Sequence, residues 1–371
     1  MKILITGGHF TPAVSLIEAL QKKYTGKKSV SIVFVGRKFI SESEKTHSLE
    51  YLEMTKRNIQ FIHLETGRLT RILSAKTIIN LLHIPVGFYN AFRIIQKERP
   101  NLILSFGGYI ALPLVFWAYC FRIPICTHEQ TIQPGLANRM IGKLASKIFI
   151  AFKEAESYFD QNKVNIAGNL VRETVLRTIR KPFIVKKDRP VLYVTGGSLG
   201  SHSINMHIFA LLTKLLKKYI VIHQIGDTKE YEDYEGAKRI KKLLPSALKR
   251  YYYPRKHFFE NEIGYIYSLT DLVIGRAGAN TFFELIALQK PALFIPLPWA
   301  AYNEQQKHAE IFEKYKTGVI FHQSDTSKHL FQMIEEMMKN IDKYKINFKS
   351  LQHLYKKNAA AFILKEIMGY C

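Results

Sequence analysis

The feature that most constrains this chain is a rhythm that runs twice. Short apolar stretches alternate with amphipathic helical patterns from the N-terminus to about residue 151, and the alternation restarts at Arg189-Pro190. A chain that alternates in this way buries its strands by placing helices on both faces of a parallel sheet. The predicted strands of the first half are Lys2 to Thr6, Val30 to Val35, Ile59 to Leu64, Leu102 to Ser105, Ile123 to Thr127 and Lys147 to Ala151. Helical patterns lie between them at Pro12 to Lys23, Pro85 to Lys97, Ala111 to Phe121 and Gly135 to Leu144. Thr11-Pro12 supplies a capping hydroxyl and a proline suited to a first helical turn. In the second half the predicted strands are Val191 to Thr195, Val221 to Ile225, Arg250 to Tyr253, Asp271 to Ile274 and Ala292 to Ile295, with a helix from Ser203 to Lys217. The fold class is therefore α/β, in two doubly wound domains, which suits 371 residues. Domain boundaries are expected at 1–168 and 169–350, with 351–371 a helix that crosses back to the first domain. The basic stretch Ile179 to Asp188, which holds Pro182, reads as a connection.

Glycine-rich or polar turns follow several strands. Thr6-Gly7-Gly8-His9 joins the first strand to its helix, and Ser105-Phe106-Gly107-Gly108-Tyr109 follows the fourth. His128-Glu129-Gln130 comes after the fifth, with Pro134-Gly135-Leu136-Ala137-Asn138-Arg139 beyond. Turns of this kind, gathered along one edge of a parallel sheet, let backbone N–H groups and helix N-termini approach an anion. His9 read alone is more readily a solvent-facing turn histidine. In the second half Gly196-Gly197-Ser198-Leu199-Gly200 repeats the pattern, but it lacks the lysine of a P-loop and the spacing of a dinucleotide fingerprint. Ile274 to Glu284 ends a strand in small residues and opens a helix that Asn280 or Thr281 can cap. Glu284 would sit about one turn inside, where a carboxylate can accept from both hydroxyls of a ribose. Asn303-Glu304-Gln305-Gln306 opens a further helix with amide side chains. The plainer reading of this region is an ordinary βαβ unit.

Composition narrows the class. The chain is 47% hydrophobic, and no apolar run reaches the roughly 18–20 residues of a membrane span. The first residues, Met-Lys-Ile-Leu-Ile-Thr-Gly-Gly, read as strand and turn and not as a signal peptide. Cys120, Cys126 and Cys371 match no zinc or redox spacing, which suits a reducing compartment. The net charge of +24 fits an anionic membrane, a phosphorylated substrate or simply a lysine-rich surface. No zinc finger, basic heptad or aromatic RNA-binding signature accompanies it, so no nucleic-acid partner is expected. No Asp-x-Asp pair of the metal-binding kind stands in a loop, and neither a metal nor a cofactor is expected.

Taken in order, these turns resemble the MurG family across nearly the whole chain. The resemblance is carried by Phe106-Gly107-Gly108-Tyr109, His128-Glu129-Gln130, Pro134 to Arg139, Gly196 to Gly200 with Asn205, and Arg276-Ala277-Gly278-Ala279 with Glu284. It implies a GT-B architecture, two Rossmann-like domains facing across a cleft. The N-terminal domain would take the acceptor and the membrane, and the C-terminal domain the UDP-sugar. The implied activity is inverting transfer of N-acetylglucosamine from UDP-N-acetylglucosamine to a polyprenyl-pyrophosphate-linked muramoyl-pentapeptide. Carried over by position, Arg172, Ser198, Asn205, Ile263, Glu284 and Gln305 would bind the donor. Gly7, Gly8, Gly107, Gly108, Tyr109 and Asn138 would bind the acceptor. His9 is the implied base or positioning residue, with Glu129 the alternative, since an imidazole has the better-matched intrinsic pKa. Some positions depart from the family pattern: Leu4-Ile5 replaces a glycine pair, Thr131 and His308 replace asparagines, and Leu170 replaces a proline. Most of these fall on the acceptor side, which keeps open a sugar transfer to another lipid. A non-catalytic nucleotide-sugar binder is the reading from a different class, and His9, Glu284 and Gln305 argue against it.

The stretch from Arg68 to His83 mixes basic and large apolar residues. Leu69, Ile72 and Leu73 can share a helical face with Arg68, Arg71 and Lys76 at its margin. Such a segment can lie in an anionic membrane surface, and the family implies peripheral binding at the cytoplasmic face. The alternative is a helix that packs this face onto the N-terminal sheet.

Overall fold

The computed structural model describes residues 1–24, 30–39, 47–67, 75–197, 199–227 and 230–370, and among these not the side chains of 49, 75–82 and 301. The chain divides into two compact units, Met1–Leu170 with Lys356–Cys371, and Val171–Tyr355.

Unit 1 carries strands β1 (Lys2–Thr6), β2 (Ser31–Gly36), β3 (Gln60–His63), β4 (Leu102–Ser105), β5 (Ile125–Glu129), β6 (Lys147–Ile150) and β7 (Val164–Ile166). Helices α1 (Phe10–Tyr24), α2 (Leu49–Lys56), α3 (Ala75–Glu98), α4 (Ala111–Cys120) and α5 (Leu136–Leu144) connect them. The sheet order is β3-β2-β1-β4-β5-β6-β7, with every pairing parallel. Unit 2 carries β8 (Val191–Thr195), β9 (Ile220–Gln224), β10 (Tyr252–Arg255), β11 (Leu272–Gly275), β12 (Ala292–Phe294) and β13 (Gly318–Ile320). Its helices are α6 (His202–Leu216), α7 (Asp233–Leu243), α8 (Ser246–Lys249), α9 (Glu260–Leu269), α10 (Ala279–Leu288), α11 (Glu304–Lys314), α12 (Ser327–Lys339) and α13 (Ile341–Ile346). Its order, β10-β9-β8-β11-β12-β13, is also all parallel and repeats that of the first six strands of unit 1. The last helix, α14 (Ala359–Met368), belongs to unit 1.

Side-chain alternation explains why unit 1 needs helices on both faces. Ile3 and Ile5 of β1 point to one side, where α1 supplies Leu16, Ile17 and Leu20 and α14 supplies Ile363, Leu364 and Ile367. Leu4 points to the other, against Ala91 and Ile95 of α3 and Leu114, Val115 and Ala118 of α4. Burial of each large aliphatic side chain is worth about 1.5–3 kcal/mol, so α14 is held by its own apolar face.

Four readings of the sequence need correction. Residues 179–188 lie within unit 2, tied by Arg180 N–H to Asn261 O at 2.8 Å and by Lys187 to Asp271 at 3.1 Å. The expected helix from Leu351 is broken: a 3₁₀ segment, Asn347–Leu354, ends at Tyr355, whose backbone is extended, before α14 begins. Helix α3 starts at Ala75 and runs through Pro85, which forfeits one backbone bond, so the expected start at that proline is too late. Helix α10 starts at Ala279 behind an extended Gly278, which puts Asn280 and Thr281 inside the first turn and not at the cap.

Candidate active site

Open parallel sheets bind ligands beyond the C-terminal ends of their strands, at the point where strand order reverses. In unit 1 that point lies between β1 and β4. Gly7-Gly8-His9 leaves β1, and Phe106-Gly107-Gly108-Tyr109 leaves β4. The turns touch: His9 N–H donates to Phe106 O at 3.1 Å. A Cβ at Gly8 would stand 2.0 Å from Gly107 O, so only glycine permits the approach. Gly107 and Gly108 have φ of +77° and +81°, in the region glycine favours.

Behind this crevice Glu129 is buried at the end of β5. It accepts from Thr131 N–H at 2.8 Å, the Thr131 hydroxyl at 2.7 Å and Asn138 Nδ2 at 2.6 Å. Asn138 Oδ1 in turn accepts from Gly108 N–H at 2.9 Å. Glu129 and Asn138 thus form a brace that fixes the Gly107-Gly108 turn. His128 donates from Nε2 to Gly168 O at 3.1 Å, and burial pushes it down to about 4. His9 is half-buried at the crevice. Burial lowers its pKa against the opposing pull of Glu129, which leaves the ring neutral at pH 7. The Gln130 amide lies 2.6 Å from His9 Nδ1. Arg37 stands over the Tyr109 ring, 5.8 Å from its centroid.

The equivalent point in unit 2 lies between β8 and β11. A Cβ at Gly275 would meet Thr195 O at 2.3 Å, and one at Gly200 would meet Ile225 O at 1.9 Å. Arg276, just past β11, stands in this crevice. Its Nη1 donates to Ile295 O at 2.8 Å and Pro296 O at 3.1 Å. Its Nη2 donates to Ser201 Oγ at 2.8 Å, Ser203 Oγ at 3.1 Å and Gln323 Oε1 at 3.0 Å. All five acceptors are neutral. Burial lowers this guanidinium to about 10, so it stays charged at pH 7 with no carboxylate among these partners. A fixed cation beside a glycine turn and the start of α6 suits a diphosphate.

Glu284 is buried and paired. Arg172 donates to its Oε1 from Nη2 at 2.6 Å and Nε at 3.1 Å, and Tyr267 OH donates to its Oε2 at 3.1 Å. Burial opposes the charge on Arg172, but Glu284 and then Glu260 outweigh it and raise the pKa. Of the roughly four acceptor directions of a carboxylate, three are occupied, which leaves one for a ligand hydroxyl.

The remaining residues singled out in the sequence fall as follows. Asn205 is buried and committed: Nδ2 donates to Asp233 at 2.7 Å and Ile225 O at 3.1 Å, and Oδ1 accepts from His223 at 3.0 Å. It braces the turn after β9. Ile263 is buried in α9, and Gln305 Oε1 accepts from Leu297 N–H at 3.0 Å. His308 donates to Ala277 O at 2.9 Å and so holds the turn that carries Arg276. Ser198, Arg68, Leu69, Arg71, Ile72 and Leu73 lie outside the described residues, as does the side chain of Lys76. The sequence reading gave no role to Arg276 or Tyr267. The available signal for Arg276 was a cation set within a glycine turn.

Two parallel sheets of this strand order, each with a glycine crevice at its reversal point, define a protein of two Rossmann-like units of the GT-B class. The N-terminal domain model of glycosyltransferase family 28 matches residues 6–150, and its C-terminal domain model matches 191–365. The chain belongs to this family and, within it, to the MurG group of glycosyltransferases. It is 31% identical over 358 residues, 94% of each chain, to the UDP-N-acetylglucosamine–N-acetylmuramyl-(pentapeptide) pyrophosphoryl-undecaprenol N-acetylglucosamine transferase 2 of Bacillus cereus. A transferase of the same name, without the number, from Clostridium perfringens is 32% identical over 354 residues, 92% of each chain. The fold matches the crystal structure of Acinetobacter baumannii MurG with a TM-score of 0.70 at 20% identity, covering 99% of both chains. It also matches UDP-GlcNAc 2-epimerase from Neisseria meningitidis, with a TM-score of 0.67 at 12% identity and 100% of both chains covered.

Proposed function

We propose that this enzyme transfers N-acetylglucosamine from UDP-N-acetylglucosamine to a polyprenyl-pyrophosphate-linked muramoyl-pentapeptide, the step that makes lipid II for peptidoglycan. The observation that carries the reading is Arg276, a half-buried cation held on neutral acceptors beside a glycine turn, in a chain that matches transferases of this name over 94% of its length. Unit 2 binds UDP: Arg276 and the N–H groups near α6 take the diphosphate, and the Arg172–Glu284–Tyr267 cluster offers one carboxylate direction to the ribose. Unit 1 binds the acceptor at Gly7-Gly8 and Gly107-Gly108. The acceptor hydroxyl attacks the anomeric carbon, its proton passes to His9, and the bond to the UDP oxygen breaks with inversion. His9 is the better base because Glu129 is already engaged by three donors. Its lowered pKa places the acid limb of turnover below pH 6.5, with activity level above it.

The enzyme works as a peripheral protein at the cytoplasmic face of the membrane. Among the described residues no helix is long and apolar enough to cross a bilayer. Helices α3 and α4 expose Val86, Tyr89, Phe116 and Tyr119, with Phe121 just beyond. Arg93, Lys97, Arg99 and Phe121 line one surface groove beside them. Exposed apolar side chains with cations on the same pair of helices suit an anionic lipid surface. Tyr89→Ser with Tyr119→Ser should reduce pelleting with anionic vesicles and leave UDP affinity unchanged. Undiminished pelleting would move the contact elsewhere.

Radiolabelled UDP-N-acetylglucosamine offered with a panel of lipid acceptors tests the reaction. Transfer to the muramoyl-pentapeptide lipid is expected. Transfer only to diacylglycerol or a lipopolysaccharide-type acceptor would favour the second reading, which Thr131 supports because its hydroxyl is spent on Glu129. No transfer to any acceptor would end both.

A further inference from the structure

His9 and Gln130 are 121 positions apart, yet the Gln130 side-chain amide reaches His9 Nδ1 at 2.6 Å. Gln130 is buried just past β5. With its nitrogen turned to the ring, Nδ1 must accept, and a neutral imidazole then carries its proton on Nε2. That orientation strands the Gln130 carbonyl oxygen, buried with no donor. Turning the amide over would put its N–H donors in that same place, so the cost of an unpaired buried polar group does not separate the two orientations. The contact to the ring does: the first orientation sets nitrogen against nitrogen at a spacing shorter than most N–H···O contacts. A half-turn of the amide exchanges its oxygen and nitrogen and moves no other heavy atom. The carbonyl oxygen then accepts from Nδ1–H, and Nε2 keeps a bare lone pair.

We propose that Gln130 is a positioning residue for the transfer reaction: its carbonyl oxygen holds His9 in the Nδ1–H tautomer, so that Nε2 receives the acceptor proton. This rests on the reading of His9 as base. As the hydroxyl oxygen bonds to the anomeric carbon, its proton moves to Nε2, and UDP leaves with the electron pair of the broken bond. The imidazolium keeps its Nδ1–H bond to Gln130 throughout. Glu129 is the carboxylate whose charge acts on the ring, but its oxygens accept from Thr131 and Asn138. A neutral amide sets the tautomer without drawing a proton onto the ring at rest, as a carboxylate would.

The tautomer is read directly by nitrogen NMR of the full-length protein labelled with 15N-histidine. His9 is assigned among the 13 histidines by the signals lost in His9→Gln. At pH 8 we expect His9 with a protonated Nδ1 and an unprotonated Nε2. A protonated Nε2 would overturn the proposal, whatever the fate of the lipid-acceptor assay. Two variants give the kinetic side. Gln130→Leu should lower kcat about tenfold or more with KM for UDP-N-acetylglucosamine unchanged, because the ring then divides between tautomers. Gln130→Glu keeps an acceptor oxygen, so it should hold the Nδ1–H tautomer and retain kcat within a few-fold. Its charge should move the acid limb of the rate profile upward, with Glu129 and His128, the other charged or titratable groups acting on this pair, left in place. If Gln130→Glu is as slow as Gln130→Leu, the amide acts as a donor and the proposal fails. If the lipid assay fails while the spectrum shows Nδ1–H, the tautomer device stands and the acceptor is misread.

Discussion

The two crevices have the same topology and different furnishings. In unit 2 the crevice holds two arginines, one on five neutral acceptors and one on a buried carboxylate. In unit 1 the groups hydrogen-bonded around the crevice are a neutral imidazole, amides, a hydroxyl and one carboxylate that braces a turn. Strand order alone places a ligand at both points. The difference in charge says what each can do: unit 2 meets a diphosphate with two cations fixed by hydrogen bonds, and unit 1 offers Arg37, over the Tyr109 ring, and a titratable ring that burial keeps neutral.

The largest expected effect breaks unit 1 alone. His9→Ala should lower turnover by about 10²–10⁴, the range for loss of a general base. A drop confined to KM for the donor would assign His9 to nucleotide binding and erase the contrast. Next is Glu284→Ala, which leaves the largely shielded Arg172 without its main partner. Breaking such a pair costs about 3–5 kcal/mol, so this variant should lose stability as well as UDP affinity, as read by denaturant unfolding. Glu284→Gln keeps the volume and separates the two losses. Unchanged stability in the alanine variant would show that Glu284 is not buried against Arg172 in solution.

Acid should then distinguish the units. Burial pushes His128 in unit 1 to about 4, and His223 and His308 in unit 2 to about 3 and about 4. The unfolded chain protonates each near 6.5 while the folded chain does not. Their contribution is therefore complete above pH 6.5 and is lost as pH falls from 6.5 toward 4 for His128 and His308 and toward 3 for His223, on the order of a few kcal/mol each. Burial also lowers His9 in unit 1 and His257 in unit 2, so unit 2 holds three such residues against two, and hydrogen exchange should accelerate first in unit 2 on acidification. Simultaneous loss would remove this distinction. The smallest effect tests the close turns. Gly8→Ala meets backbone at 2.0 Å, whereas Gly278→Ala meets nothing within 4 Å at an ordinary backbone angle. We expect a loss of about 1–3 kcal/mol for the first and less than about 1 kcal/mol for the second. Equal melting temperatures would show that the turns in unit 1 can part.

Much of the architecture was legible because apolar runs and helical periodicity report burial locally. The central strands of both sheets fall within about two residues of their expected places. The edge strands β7 and β13 were not read, since three residues carry too little pattern, and Val164–Ile166 is only half-buried. Helix α7 was missed because its sequence, DYEGAKRIKKL, is mostly charged. The glycine turns were legible as turns. Their partners were not: Arg172 meets Glu284 across 112 positions, and His9 meets Gln130 across 121. Nothing local marks such a pair, and the one acceptor direction left on Glu284 follows only from seeing Arg172 and Tyr267 on it.

The division of labour between the crevices is tested most directly by calorimetric titration of UDP into Arg276→Met and His9→Ala, alongside the parent enzyme. A charge-assisted contact to the diphosphate is worth about 1.5–3 kcal/mol, so Arg276→Met should bind UDP about tenfold to a hundredfold more weakly. His9→Ala should bind it as tightly as the parent. Full UDP affinity in Arg276→Met, or a comparable loss in His9→Ala, would contradict the assignment of the nucleotide to unit 2.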